Sequence, residues 1–172
     1  MNQSSLGAEI MRQIFSLLII TVFLISCSTA NKVTQQDIQT SAETLDYGDF
    51  TSQTLTTKAW EALDNKNYPA VFAYTQKCEE LYGEEGKQMN DGLEYFASPE
   101  DAAELWALND VGTSLYIMAT AYEKLEMYPQ ASEAYKKLAN DYSFAQAWDP
   151  KGWYWKPATG AASKVEQFKY KK

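Results

Sequence analysis

A Tyr-Pro pair set between two stretches of helical periodicity constrains this chain more than any other feature. From Leu115 to Tyr142 the sequence reads LYIMATAYEKLEMYPQASEAYKKLANDY, and at a helical period Leu115, Met118, Ala119, Tyr122 and Leu125 share one face. Ala131, Tyr135 and Leu138 share another. The break between them falls at Glu126-Met127-Tyr128-Pro129, where proline suits the first turn of a new helix: its missing N–H would have had no intrahelical partner, and its φ is already helical. The pattern predicts a helical hairpin. Small Ala119 and Ala131 admit a close approach, and Tyr122, Tyr128 and Tyr135 fill the space around them.

A weaker copy of the same pattern runs from Leu55 to Tyr82. Aligned on the Tyr-Pro pairs, Tyr68-Pro69 matches Tyr128-Pro129, Lys77 matches Lys137 and Tyr82 matches Tyr142; Ala59 and Val71 take the small positions and Cys78 stands where the later copy has Leu138. Ala62 replaces the aromatic of the first helix, and Val71 is larger than alanine. The slots Leu115, Met118, Ala119, Tyr122, Tyr128, Ala131, Tyr135 and Leu138 resemble a tetratricopeptide (TPR) repeat. That resemblance implies an all-α chain of about two helical hairpins plus extra helices, a short α-solenoid over residues 55–160, with the early copy at its N-terminal end. The copies stand about 60 residues apart against about 34 in the family, so an insertion interrupts the array. The family's concave face, carried over, is lined by the outward positions of the first helices: Thr56 and Trp60, then Tyr116, Thr120 and Glu123. The implied partner is another envelope protein or a peptide. Cover of Trp60 by the N-terminal segment or by the helix of residues 99–125 is the competing expectation.

Between the copies, Gly83, Gly86 and Gly92 with Glu84, Glu85, Asp91 and Glu94 predict a loop from Gly83 to Ala97. Ser98-Pro99-Glu100-Asp101 reads as a helix start with Ser98 as N-cap, and the apolar spacing continues from Ala102 to Leu125 as one helix in preference to a break at Asn109-Asp110-Val111-Gly112. Beyond Tyr142, three of the five tryptophans, Trp148, Trp153 and Trp155, flank a predicted turn at Asp149-Pro150-Lys151-Gly152. These aromatics are a candidate platform for a sugar ring or a peptide, or else the cap that closes the open end of the second copy. Residues 161–172 read as a basic tail or frayed amphipathic helix.

At the other end, Met11 to Cys27 (MRQIFSLLIITVFLISC) has a positive charge followed by an apolar run too short for a comfortable membrane span but suited to a signal-peptide core. Leu24-Ile25-Ser26-Cys27 resembles the bacterial lipobox, which implies a signal peptide over residues 1–26 and a mature chain beginning at acylated Cys27; Met11, followed directly by Arg12, reads as a more natural start than Met1. Acyl chains of that kind hold a protein on a membrane surface. By resemblance to sorted lipoproteins, Ser28 after the cysteine favours the outer membrane over the inner. Residues 27–54 are rich in Ser, Thr, Gln and Asp and read as a tether, with Ile38, Leu45, Tyr47 and Phe50 as the residues of any docked segment.

Composition narrows the function. The chain has no histidine, which removes the commonest general base and metal ligand, and its net charge of −8 argues against nucleic acid as a partner. Cys78 falls on a buried helix face as a small hydrophobe, and Glu79, Glu80, Glu84 and Glu85 lack the alternating oxygens and central glycine of a calcium loop. No cofactor, metal or catalytic residue is expected. The reading is a lipid-anchored envelope scaffold; the alternatives are an oligomeric structural subunit, or a protein that binds or hydrolyses peptidoglycan or polysaccharide through the Trp148–Trp155 segment.

Overall fold

The computed structural model describes residues 33–171, so the expected signal peptide and the acylation at Cys27 lie outside the described residues. In chain order these form α1 (Gln35–Thr44), α2 (Ser52–Asp64), α3 (Tyr68–Asp91), a 3-10 turn (Ala102–Leu105), α4 (Trp106–Lys124), α5 (Tyr128–Asp141), strands β1 (Ala147–Asp149) and β2 (Trp153–Trp155), and α6 (Ala161–Phe168). The expected all-α character holds apart from that short antiparallel hairpin. Helix α4 is central and packs against α2, α3 and α5, while α1 lies on α3 and α6 on α5. Leu55, Val71, Phe72, Leu108, Leu115 and Leu138 are fully buried between them. Phe72 of α3 stacks on Tyr122 of α4 with ring centroids 4.3 Å apart, a contact joining the two Tyr-Pro hairpins.

Those hairpins turn in the same way. Lys66 and Glu126, at matching positions, take left-handed φ values of 58° and 57°. Around them the hydrogen bonds repeat: Asn67 N donates to Ala62 O at 2.8 Å and Met127 N to Tyr122 O at 2.9 Å, while Val71 N to Asn67 O and Ala131 N to Met127 O both measure 3.0 Å. Each first helix thus ends in a left-handed C-terminal motif that satisfies its last carbonyls, and the proline-bearing helix starts at once. Ala59 and Ala119, Val71 and Ala131, and Cys78 and Leu138 are all fully buried, as their paired positions require.

One expectation is corrected, and for two segments the structure takes the alternative reading. The glycine-rich stretch is a helix for most of its length, since α3 continues unbroken to Asp91. Two of its glycines sit where neighbours come close: a Cβ on Gly86 would lie 3.0 Å from the Ala107 carbonyl oxygen, and one on Gly83 3.3 Å from the Tyr142 hydroxyl. The proposed tether is docked from residue 35 onward. Thr34 and Asp37 close a capping box at the start of α1, Ile38 is buried, and the hydroxyls of Tyr74 and Tyr82 donate to the carbonyls of Asp46 (3.1 Å) and Phe50 (2.9 Å). The C-terminal tail is likewise docked. Ala161 and Phe168 are buried on one face of α6, and Phe168 lies 5.4 Å from the Tyr128 ring.

Helix α4 is unbroken through Asn109–Gly112 as expected, but it begins at Trp106; Ser98 caps only a turn, its Oγ accepting from Asp101 N at 3.3 Å. Gly112 is the tightest point. A Cβ there would stand 2.4 Å from the Ala145 Cβ. Alanine gains helix propensity but forces that contact apart, so Gly112→Ala should lower stability by about 1–2 kcal/mol. Gly92→Ala, which meets nothing nearer than 3.6 Å, should leave the urea midpoint unchanged. Equilibrium urea denaturation of the two variants checks both.

Candidate functional site

The longer α3 places the β-hairpin. Its buried Asn90 uses Oδ1 to accept from Phe144 N at 3.0 Å, and Tyr142 Oη donates to Gly83 O at 3.0 Å. From α4, Asn109 donates Nδ2 to Ala102 O at 2.7 Å and accepts Gln146 N on Oδ1 at 2.8 Å, so both ends of this buried amide are engaged. The chain leaves these clamps directly into β1. The turn forms where expected: Gly152 N donates to Asp149 O at 2.8 Å, Lys151 N to Asp149 Oδ1 at 2.8 Å, and Gly152 takes φ 101°. Register pairs Trp148 with Tyr154, whose rings meet edge to face at 5.1 Å. Trp155 meets Tyr116 of α4 edge to face at 5.0 Å, and Tyr116 lies 6.3 Å from Trp60 of α2.

The hairpin stands opposite α2 and the first turns of α4, and the space between is a cleft with two arms of about 890 and 440 Å³. Trp60, Trp148, Pro150 and Trp155 line both. Trp106 walls the larger arm, and Tyr116 and Asp149 the smaller. The two candidate sites read separately from the sequence, an aromatic groove and an aromatic platform, therefore meet in one place.

Not every expected residue joins them. Thr56 reaches the cleft lining, but it is buried: its hydroxyl lies 3.0 Å from Ser114 Oγ and 3.8 Å from Cys78 Sγ, and it serves the α2–α4 contact. Glu123 does not face an open groove. Its Oε1 accepts from Tyr135 Oη at 2.6 Å and its Oε2 from Lys164 Nζ of α6 at 2.8 Å. Thr120 is half-buried next to the Tyr135 hydroxyl. The groove expected along α4 is thus filled at that end by the chain's own C-terminal helix. Trp148 is 59% exposed and open for contact, whereas Trp153 is not among the residues lining the cleft and carries the Lys151 ammonium 5.8 Å from its ring. Burial pushes the Cys78 thiol up to about 11, with Ser114 and Thr56 opposing, as a structural cysteine requires.

The polar floor was not foreseen. Asp110 lines the larger arm, where its Oδ2 accepts Ser52 Oγ at 2.6 Å. Desolvation holds its carboxyl above the usual range, against the lowering effect of the Ser52 bond. Extending the helical period backward from Tyr116 would have found it: Trp106, Asn109, Thr113 and Tyr116 follow one stripe of α4, with Asp110 beside it. Among the described residues no group of His, Cys, Asp or Glu is placed to hold a metal ion. A separate hollow of about 690 Å³, lined by Met118, Tyr122, Tyr128 and Phe168 with Lys137 and Lys169, contains no residue of the expected groove or aromatic platform.

No family model matches the chain, and neither a curated protein nor a solved structure matches it.

Because the folded-state pKa of Asp110 is raised, its stabilising contribution is complete below the unfolded value of about 3.9 and is lost as pH rises through the folded value. At neutral pH the carboxylate weighs against folding. Asp110→Asn keeps an acceptor for Ser52 and should raise the urea midpoint at pH 7, with the gain shrinking to nothing in strongly acidic buffer. Paired denaturation curves across that range measure it.

Proposed function

We propose that this chain is a lipid-anchored docking protein of the bacterial cell envelope: a TPR-like helical domain, held to a membrane through acylated Cys27, whose aromatic cleft binds an extended segment of another envelope protein. One observation carries this reading. Trp60 from the first hairpin and Trp148 and Trp155 from the β-hairpin converge on a single open cleft. Indole faces offer large contact area for little side-chain entropy, and residues of this type dominate binding hot spots. Placing four of the five tryptophans, Trp106 included, around a surface concavity, when helices of this size have apolar interiors to fill, favours a bound partner over packing alone.

The TPR-like arrangement is supported by the matched turns at Lys66 and Glu126 and by α3 of the first hairpin packing on α4 of the second. The outer-membrane assignment rests on Ser28 and the anchor on the lipobox-like Leu24–Cys27. Docking of residues 35–51 onto α3 shortens the stretch between anchor and domain, and so favours a partner near the bilayer surface.

The test uses the full chain in its host. Photocrosslinking from position 148 should recover a discrete partner, and Trp60→Ala should reduce that recovery at least about tenfold while the variant keeps the helical circular dichroism of the parent chain. Cys27→Ser should remove the acyl mass from the mature protein and release it from the membrane fraction. A protein that stays acylated elsewhere, or a crosslinking pattern indifferent to Trp60, would contradict the reading.

A further inference from the structure

The floor of the cleft offers hydrogen-bond acceptors without a matching charge. Gln146 is 4% exposed and lines the larger arm; it turns Nε2 to Ala97 O at 3.3 Å, which leaves its buried Oε1 with no partner. That oxygen is itself closed to solvent, so the acceptor open to the cleft is the carboxylate of Asp110. Asp110, beside it in the same lining, spends Oδ2 on Ser52, while Oδ1 makes no hydrogen bond among the described residues. Neither arm is lined by lysine or arginine, and the other ionisable carboxyl present, Asp149, has the same sign. Asp149 already receives Lys151 N on Oδ1.

Around these acceptors stand Trp60, Trp106, Trp148 and Trp155. The face of an indole attracts a cation, most strongly where water is excluded, and a half-buried carboxylate without a counter-charge gains from one brought to it. A saccharide would stack on the same rings and its hydroxyls would meet the acceptors, but the charge on Asp110 would stay unbalanced. A guanidinium does all three. Its plane stacks on indole, its fork supplies several donors, and its charge is permanent, whereas an ammonium is a strongly hydrated point charge.

Resting on the docking reading above, we propose that the cleft receives a basic side chain, arginine in preference to lysine, from an extended segment of the partner. The indoles hold the guanidinium plane, and Asp110 Oδ1 accepts its N–H groups.

Titration of the full chain in detergent micelles, followed by calorimetry and by the indole N–H resonances, tests this with three probes. They are an acetylated, amidated glycine hexapeptide bearing one central arginine, the same peptide with neutral citrulline in its place, and an N-acetylglucosamine tetramer. The arginine peptide should bind about tenfold more tightly than its citrulline counterpart, and Asp110→Asn should erase the difference while Trp153→Ala leaves it intact. Equal affinity of the two peptides, with Asp110→Asn without effect, overturns the basic side chain and leaves docking in place. Binding of neither peptide overturns it too, and indole shifts produced by the sugar alone would remove peptide docking along with it.

Discussion

The crossing of α3 over the start of α4 holds the cleft side of the molecule in place. With no side chain at Gly86, α3 comes within van der Waals reach of the Ala107 backbone and runs on to Asp91 beside the segment that precedes the β-hairpin. A larger residue would push α3 outward and carry Asn90 with it. Asn90 is the acceptor that fixes Phe144 N, and two residues later Asn109 fixes Gln146 N from the other side. Gly112 then lets Ala145 lie against α4. Gly86 and Gly112, which cost helix propensity, thus define where a strand begins, because one admits the Ala107 backbone and the other the Ala145 methyl at distances a side chain would crowd.

With the strand placed, the rest of the site follows from short-range contacts. The turn at Asp149–Gly152 returns the chain in a register that sets Trp155 against Tyr116, and Tyr116 in turn approaches Trp60. The aromatic line continues inward from Tyr116 to Tyr135 and Phe168, so α6 and the cleft are joined by edge-to-face and tilted ring contacts. The same α6 covers Glu123, where Lys164 and Tyr135 share the two carboxylate oxygens. A face that the TPR resemblance would leave open is therefore partly closed by the C-terminus, and the opening that persists is displaced toward α2 and the hairpin.

Asp110 and Gln146 stand apart from this packing. A carboxylate held away from bulk water next to a serine, and an amide oxygen with no donor, both work against the folded state, whereas the other buried polar groups nearby, Thr56, Asn109 and Ser114, are paired. A perturbed carboxylate that weighs on stability and lines a concavity, as Asp110 does, is the mark of a surface built for something outside the chain. Their neighbours are the most exposed of the large aromatics that line the cleft, Trp148 and Trp106.

The helices of the two hairpins, their turn at the Tyr-Pro pairs, the buried small positions and the Asp149–Gly152 turn were legible in the residues, because each depends on local periodicity and turn chemistry that a short window contains. So were Trp60, Tyr116, Trp148 and Trp155 as aromatics to watch. The helical course of Gly83–Asp91 was not, since glycine reads locally as a breaker and its use here is to admit Ala107 and Tyr142 from elsewhere in the chain. Docking of the segments around Ile38 and Phe168 stood open as an alternative to a tether and a tail for the same reason: a few apolar residues look insufficient until a receiving face exists. The sequence by itself thus determined the hairpins and their ends, which are decided within about a dozen residues by backbone propensity and side-chain period. Only the tertiary structure decided that groove and platform are one cleft with Asp110 at its floor, because that depends on helix approach distances, and those are set by pairs of residues far apart in the chain.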